Sequence, residues 1–220
     1  MKRRSMLALA LAGALAIASP VRAVVLNPGQ SATLPGSSPP AGTVIATDTQ
    51  SFDVIGGHTE LRGTVAMQVI RESSGTLDFT YQITNLGAAP GSHRGSSQIH
   101  RATVSDFTGF TTDVNYVTST GQFPHTADRS TDATTVGFGG TPSNFSVSAG
   151  QHSAVLFVRT NARQFDELGN FSLITNSSLV GSTAGFQPHG PEPSTLVLLG
   201  GNVVGLGVWR GWRRWRTHPS

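Results

Sequence analysis

The sequence predicts an all-β protein: an antiparallel β-sandwich of the Ig-like or jelly-roll type, with a signal helix at the N-terminus and a short transmembrane helix at the C-terminus. Short segments of strand-forming residues recur roughly every ten residues through the middle of the chain, as in antiparallel sandwiches. Glycine-containing turns separate these segments, and no convincing amphipathic helix lies between them. Both ends of the chain are instead apolar and basic, which is typical of segments that meet a membrane.

The first 23 residues are predicted to form a secretory signal peptide. Residues 2–4 supply positive charge, residues 6–18 form a short apolar run, and Val21 and Ala23 are small residues at the two positions that precede a cleavage site. We therefore expect cleavage after Ala23. The alternative is an uncleaved N-terminal anchor, although the apolar run is short for a stable membrane span.

Residues 24–42 are predicted to form a lead-in rich in proline, glycine and serine, with one early strand near residues 31–34. Residues 43–189 form the predicted sandwich domain. Its strand candidates are residues 43–46, 52–55, 61–70, 77–84, 98–105, 112–117, 136–138, 144–147, 154–160, 170–175 and 179–186. The polar stretch 123–135 is predicted to be a long loop, and residues 162–168 are long enough for one helical turn.

The clearest strand candidate is residues 77–84. Leu77, Phe79, Tyr81 and Ile83 occupy alternate positions, and polar residues stand between them. Because successive side chains of a strand point to opposite sides of a sheet, this pattern predicts a half-buried strand with one polar face. Residues 154–160 are apolar without alternation, which is typical of a strand buried on both faces.

Charge is distributed unevenly along the chain. Eight of the 15 lysines and arginines lie before residue 24 or after residue 209, whereas residues 24–190 contain seven arginines, no lysine and 11 of the 12 acidic residues. This body therefore has a formal net charge of −4 and no basic cluster, so nucleic acid is not expected as a partner. The chain has no cysteine, which excludes disulfides, thiolate metal sites and cysteine nucleophiles.

The last thirty residues combine a proline motif, a short apolar span and a basic tail. Pro191-Glu192-Pro193 separates the span from the body, because each proline disfavours helical geometry in the residue before it. A helix over residues 196–209 would measure roughly 21 Å, short of the roughly 30 Å of a bilayer core. The apolar residues of this membrane span are Leu196, Val197, Leu198, Leu199, Val203, Val204, Leu206, Val208 and Trp209, and the basic tail contains Arg210, Arg213, Arg214 and Arg216.

This order of motif, span and arginine-rich end, over residues 190–220, resembles the PEP-CTERM sorting signal of bacterial exosortase substrates. The resemblance implies export by the general secretion machinery, transient retention in the inner membrane, and recognition of Pro191, Glu192 and Pro193 by an exosortase-type processing enzyme. Asn202 and several glycines depart from the usual leucine-rich span. Residues 77–85, 106–117 and 156–171 also resemble recurrent segments of PEP-CTERM passengers. The alternative is an ordinary C-terminal membrane anchor.

The histidines show no recognisable metal-binding pattern. None of the seven stands at His-x-His or His-x-x-His spacing, so a zinc site would need the fold to bring His93 or His100 to His125 or His152. The chain also lacks the Gly-x-Ser-x-Gly turn of many hydrolases. We therefore predict no catalytic residue, no metal and no cofactor.

Two acidic pairs are candidate sites. Asp128 and Asp132 are candidate calcium ligands in a polar loop, but the adjacent Arg129 opposes a cation there. Asp166 and Glu167 would point to opposite faces of a strand, so they do not predict the paired carboxylates of a glycosidase.

We predict a non-enzymatic protein that is exported, transiently anchored in the inner membrane, and then held at the cell surface or in the extracellular matrix. An exopolysaccharide is a partner that only the family resemblance implies. Two alternatives remain open. A secreted carbohydrate-binding module would need exposed aromatic residues, whereas the body has no tryptophan and only Tyr81 and Tyr116 as tyrosines. A small secreted hydrolase would need a pocket that gathers histidine with acidic residues.

Overall fold

The computed structural model describes residues 23–119, 121–139, 145–176 and 178–190. Within these residues every regular element is a strand, and the strands form two sheets that are antiparallel except where β6 pairs with β4. The strands are β1 (Val24–Val25), β2 (Ser31–Thr33), β3 (Thr43–Gly56), β4 (Thr59–Arg71), β5 (Leu77–Asn85), β6 (Gly95–Ser96), β7 (Ile99–Val104), β8 (Thr112–Tyr116), β9 (Thr126–Arg129), β10 (Val136–Phe138), β11 (Leu156–Thr160), β12 (Gln164–Thr175) and β13 (Val180–His189). The predicted all-β class is confirmed, and the two sheets are consistent with a β-sandwich.

The first sheet has the spatial order β1-β8-β11-β5-β4-β3, with β6 beside β4, and the second has the order β13-β12-β7-β10-β9-β2. Strands β5 and β11 lie at the centre of the first sheet, where Phe79 pairs with Val158 and Tyr81 with Leu156. The chain crosses between the sheets repeatedly, so segments distant in sequence become neighbours.

The core lies between the two sheets. Leu77, Phe79, Tyr81 and Ile83 of β5 are each at most 1% exposed and belong to one apolar cluster. Tyr81 stacks on Phe171 of β12 with ring centroids 5.3 Å apart, which joins the sheets. Burial of such side chains stabilises the fold by about 1.5–3 kcal/mol each. The predicted apolar face of residues 77–84 is thus confirmed.

The polar face of β5 is buried as well, which the alternation did not predict. Asp78 is 1% exposed and Thr80 is 4% exposed. The adjacent residue of β11 on this face, Phe157, pairs with Thr80 and is 0% exposed, although it lies outside the cluster between the sheets. The outer face of the first sheet is therefore covered.

The connection from β2 to β3 runs along this outer face. Gly36 donates its N–H to Asn115 Oδ1 at 2.9 Å, and the next residue, Ser37, pairs with Val117 after β8. Gly42, at the other end of the connection, lies directly against Ile70 of β4. The proline-rich lead-in thus packs on the sandwich, and the early strand predicted near residues 31–34 is confirmed as β2.

Strands β3 and β4 form one long hairpin. Gly57 at the turn has φ of 56°, a left-handed conformation that suits two-residue hairpin turns. The strand candidates 43–46 and 52–55 are confirmed as strand, but they are parts of the single strand β3, which has a bulge between Val44 and Ala46. As an edge strand, β3 is largely exposed and its middle lacks the apolar residues that make a strand recognisable.

Two other predictions are wrong. The stretch 123–135 is not one long loop, since it contains β9, and residues 162–168 do not form a helical turn, since β12 begins at Gln164. In β9 Ala127 and Arg129 are the buried residues, and because one of them is an arginine the strand shows no alternation of apolar residues. In β12 a bulge between Asp166 and Gly169 leaves Leu168 82% exposed.

Residues 1–22 of the predicted signal peptide (1–23) and residues 191–220 of the predicted sorting signal (190–220) lie outside the described residues, so the helices expected there stay predictions. In the part of the chain that the structure describes, no helix has the length and apolar character needed to traverse a bilayer.

Candidate functional site

The predicted sorting residues Pro191, Glu192 and Pro193 lie outside the described residues, as do the membrane span and the basic tail. The described body nevertheless reaches close to both predicted processing positions. Val24, directly after the predicted cleavage position Ala23, already pairs with Val114 of β8. At the other end, β13 finishes at His189, two residues before Pro191.

His100, His125 and His189 lie in different environments. His125 packs against the Phe123 ring with centroids 5.0 Å apart, and His189 Nδ1 lies 3.0 Å from Asp166 Oδ2. His100 Nε2 is buried and has no hydrogen-bond partner in the described part of the chain. Among the described residues, no three side chains of His, Asp, Glu or Cys are grouped so that they could hold a metal ion.

The candidate calcium ligands Asp128 and Asp132 are engaged by different partners. Asp128 accepts two hydrogen bonds from Arg101, at 2.6 and 2.8 Å. Asp132 accepts hydrogen bonds from the Ser130 hydroxyl and from the N–H and hydroxyl of Thr134, and these hold the pKa of Asp132 below its usual range. Each carboxylate therefore stabilises its own strand or turn.

The adjacent carboxylates of Asp166 and Glu167 also differ in environment. Asp166 faces His189 and accepts the Leu168 N–H at 3.0 Å, within the bulge of β12. Glu167 is exposed. The bulge therefore accounts for the position of Asp166 at the rim of the second sheet.

A cleft of about 290 Å³ opens beside β1 and the start of β8. The lead-in supplies one wall and the turn before β8 another, and Arg129 is the one ionisable side chain among the lining residues. Val25 at the cleft is 59% exposed, so the cleft has an apolar, solvent-facing part. The lining residues are Val25, Leu26, Asn27, Pro28, Gly109, Phe110, Thr111, Thr112, Arg129 and Ala133.

Arg129 is 5% exposed and is held by backbone carbonyls from three separate segments. Its Nη2 donates to the carbonyl oxygens of Phe107 and Phe110, each at 2.9 Å. Its Nη1 donates to Leu26 O at 3.2 Å, and its Nε donates to Ala133 O at 3.4 Å. The side chain therefore cross-links the lead-in, the turn before β8 and the turn after β9.

The Arg129 guanidinium has no carboxylate partner among the described residues. It has five N–H groups, and Nη1 makes a single hydrogen bond, so one N–H of this atom has no acceptor in the described protein. Burial lowers the pKa of Arg129, although an arginine remains protonated at neutral pH. Because a buried charge is costly when unpaired, this cleft is suited to an anionic group such as a carboxylate.

A second charged cluster lies on the outer face of the first sheet. Neither carboxylate oxygen of Asp78 has a hydrogen-bond partner among the described residues, and Arg159 Nε lies 3.4 Å from Asp78 Oδ2 without hydrogen-bond geometry. Burial, reinforced by the negative charge of Glu72 and opposed by Arg159, raises the pKa of Asp78 to about 7. Burial also raises the pKa of Asp113. Because Asp78 is 1% exposed, a solute has no direct access to it.

The aromatic side chains of the body are mainly buried. Tyr81 is 1% exposed and Tyr116 is 8% exposed. Phe123 is 40% exposed, but one side of its ring stacks on Tyr116 with centroids 4.9 Å apart and His125 packs against it as well. Neither tyrosine is therefore a free platform for a sugar ring.

The sequence predicts the wrong environment for Arg129. The polar stretch 123–135 predicts a loop in which Arg129 opposes calcium, whereas Arg129 is a buried strand residue at a cleft. The one sequence signal for this arrangement is the alternation in Thr126-Ala127-Asp128-Arg129, which places Ala127 and Arg129 on the same face. Comparisons with protein-family models, with curated proteins and with solved structures found no match.

Proposed function

We propose that this protein is a non-enzymatic, exported passenger that is sorted to the cell envelope or extracellular matrix through a C-terminal PEP-CTERM signal. The observation that carries the proposal is the order Pro191-Glu192-Pro193, apolar span and arginine tail at the end of the chain. In this scheme general secretion machinery exports the chain, the span retains it transiently in the inner membrane, and an exosortase-type enzyme recognises the motif.

The position of the body supports this proposal. Its last strand finishes at His189, so processing near Pro191 would leave every described strand intact. Its first strand begins at Val24, so removal of the signal peptide after Ala23 would also spare the sheets. A packed core without cysteine gives stability that does not depend on disulfide formation outside the cytoplasm.

We also propose an Ig-like or jelly-roll type for the fold and a partner in the extracellular matrix. The chain alternates between the sheets, with β7 in the second, β8 in the first and β9 in the second, and such crossing supports an Ig-like or jelly-roll arrangement. An exopolysaccharide is the proposed matrix partner, and the support for it comes from the family resemblance.

The proposal is tested by replacing Pro191, Glu192 and Pro193 with alanine in the native host. We expect the variant to remain full-length in the membrane fraction while the wild-type protein loses its tail, as measured by fractionation and intact mass. Replacement of residues 218–220 with alanine is the matched control and should leave processing unchanged. Unchanged release of the motif variant would contradict exosortase processing.

A further inference from the structure

The cleft beside β1 contains a positive charge that no carboxylate of the described residues balances. Arg129 is 5% exposed and is the one ionisable side chain among the lining residues. None of the ion pairs among the described residues includes it. Burial lowers the pKa of Arg129, and no acidic group of the described chain opposes this shift. Because a buried guanidinium without a counter-charge is costly, an anion that enters the cleft gains the full attraction of this charge.

The acidic residues that directly adjoin the lining residues in sequence have other partners. Asp128 accepts two hydrogen bonds from Arg101, at 2.6 and 2.8 Å. Asp132 accepts its hydrogen bonds from within its own turn. Burial raises the pKa of Asp113, and Arg159, opposite it on β11, works against this rise. The fold therefore keeps each of these carboxylates away from the guanidinium of the cleft.

The free donor of the guanidinium belongs to the nitrogen that faces the lead-in. Arg129 Nη2 and Nε donate to carbonyl oxygens of the turns before β8 and after β9. Nη1 makes a single hydrogen bond, to Leu26 O at 3.2 Å, and Leu26 belongs to the wall of the cleft that the lead-in supplies. The second N–H of Nη1 therefore has no acceptor in the described protein and is available to a ligand in the cleft.

The lining of the cleft selects the class of anion. A single charge with one free N–H matches a singly charged group that presents one acceptor oxygen, whereas a phosphate group brings more charge and more acceptor oxygens. Val25 is 59% exposed and, together with Pro28 and Phe110, gives the cleft an apolar part against which an organic body can pack. The volume of about 290 Å³ is at the lower end for small-molecule sites, so the ligand must be small.

We propose that this cleft is a binding site for the carboxylate of a small organic acid, which accepts a hydrogen bond from Arg129 Nη1 while its organic body packs against Val25 and Phe110. The site goes beyond the proposed sorting and does not depend on it, because every residue that forms it lies in the described body. A free carboxylic acid and the carboxylate of an acidic sugar share this chemistry, and separate probes distinguish them.

The first test titrates the full chain in a nonionic detergent with propionate and follows the Arg129 Nε–Hε signal by NMR. We expect a saturable shift with propionate, no shift with the neutral probe 1-propanol, and a weaker effect of sulfate at the same ionic strength. The absence of a saturable shift with propionate would overturn the proposal. An equal effect of sulfate would also overturn it, because the site would then respond to any anion.

The second test places a negative charge at the cleft without removing the structural contacts of Arg129. Thr111 lines the cleft and is exposed, so Thr111→Glu should repel an anion there and weaken propionate binding about tenfold or more. Thr47→Glu is the matched control, because Thr47 is exposed on β3 at the opposite edge of the first sheet from β1. The control should bind propionate as the wild type does, since charges far apart on the surface are screened by salt. Equal affinities of the two variants would contradict binding in the cleft.

A third experiment distinguishes the two sources of the carboxylate, with glucuronate as the acidic sugar and glucose as its neutral counterpart. Tighter binding of glucuronate than of propionate would assign the site to acidic sugars, and weaker binding would assign it to free organic acids. A shift of the Arg129 signal by glucose equal to that by glucuronate would overturn the proposal, because the carboxylate would then contribute nothing. Failure of exosortase processing would appear in the fractionation experiment alone and would leave these results unchanged.

Discussion

Arg129 and Asp78 are both buried charged residues, yet their environments differ. Arg129 stands where turns converge, and four backbone carbonyls accept hydrogen bonds from its guanidinium. Asp78 lies within the central strand β5, and in the part of the chain that the structure describes neither of its oxygens has a hydrogen-bond partner. The backbone N–H groups around a central strand are committed to the ladders on both sides, so few donors remain for a carboxylate there.

Glu60 is a third buried charged residue, and its environment resembles that of Arg129. It is 3% exposed, but it lies beside the loop after β5 and accepts the Ala89 N–H at 3.0 Å and the Ser92 hydroxyl at 2.9 Å. Among the described residues, the buried charges next to a loop or turn therefore accept or donate hydrogen bonds, whereas Asp78 in the centre of a sheet has only the Arg159 ion pair.

The largest expected effect comes from Arg129→Met. The substitution leaves several carbonyl oxygens without their donor and disconnects three segments, so we expect a loss of about 3 kcal/mol or more in the free energy of unfolding. Urea unfolding of the variant measures this loss. The control Arg94→Met changes an exposed arginine and should stay within about 0.5 kcal/mol of the wild type. Equal stability of the two variants would mean that the carbonyl contacts contribute little.

Asp78→Asn is expected to increase the free energy of unfolding above pH 7, whereas Arg129→Met decreases it. In the folded protein the pKa of Asp78 is raised to about 7, so the folded state binds a proton that the unfolded state has lost. The stability that the protonated Asp78 carboxyl contributes is therefore fully present below about pH 4 and is lost as the pH rises through about 7. The neutral amide should remove this loss and stabilise the protein at pH 8 by on the order of 3 kcal/mol.

Urea unfolding between pH 3 and pH 9 checks this prediction. The wild type should lose stability between about pH 4 and pH 7 through this group, and Asp78→Asn should show a flatter profile. Asp53→Asn, at a side chain that is 62% exposed, is the control and should keep the wild-type profile. A destabilised Asp78→Asn at pH 8 would show that the ionised carboxylate is favourable in its site.

A smaller effect is expected at the partly exposed ion pair on the second sheet. The Arg101 guanidinium reaches Asp128 across Gly137, and a Cβ at Gly137 would overlap it. Gly137→Ala should displace this flexible side chain and cost about 1 kcal/mol, in line with surface ion pairs. Combination with Asp128→Asn in a double-mutant cycle should reveal coupling, and purely additive losses would mean that Gly137 does not serve the pair.

The sequence pattern located strands where the two faces differ in polarity. Alternating apolar residues predict a strand at 77–84, and the apolar run predicts one at 154–160; the structure has β5 and β11 in these segments, and β8 within the candidate 112–117. The pattern failed in β9, where a buried arginine replaces an apolar residue, and in β12, where a bulge shifts the alternation by its extra residues. It also divided β3, because an exposed edge strand carries little apolar contrast.

The candidate cleft could not be derived from the sequence. Its walls come from residues 25–28, from 109–112 and from the turn after β9, and nothing in their local sequences indicates that they meet. The contact between Gly190 and Phe110 is equally dependent on the fold, because it joins the end of β13 to the turn before β8.

The sequence by itself determined the all-β class, the absence of disulfides, the acidic body and the composition of the two terminal segments, because these follow from local periodicity and residue type. Only the tertiary structure decided which charges are buried and which have partners. Alternation tells which side of a strand a residue faces, but burial and hydrogen bonding depend on what packs on that side. For Asp78 this is a covered sheet face, and for Arg129 it is a convergence of turns beside which the last described residue ends.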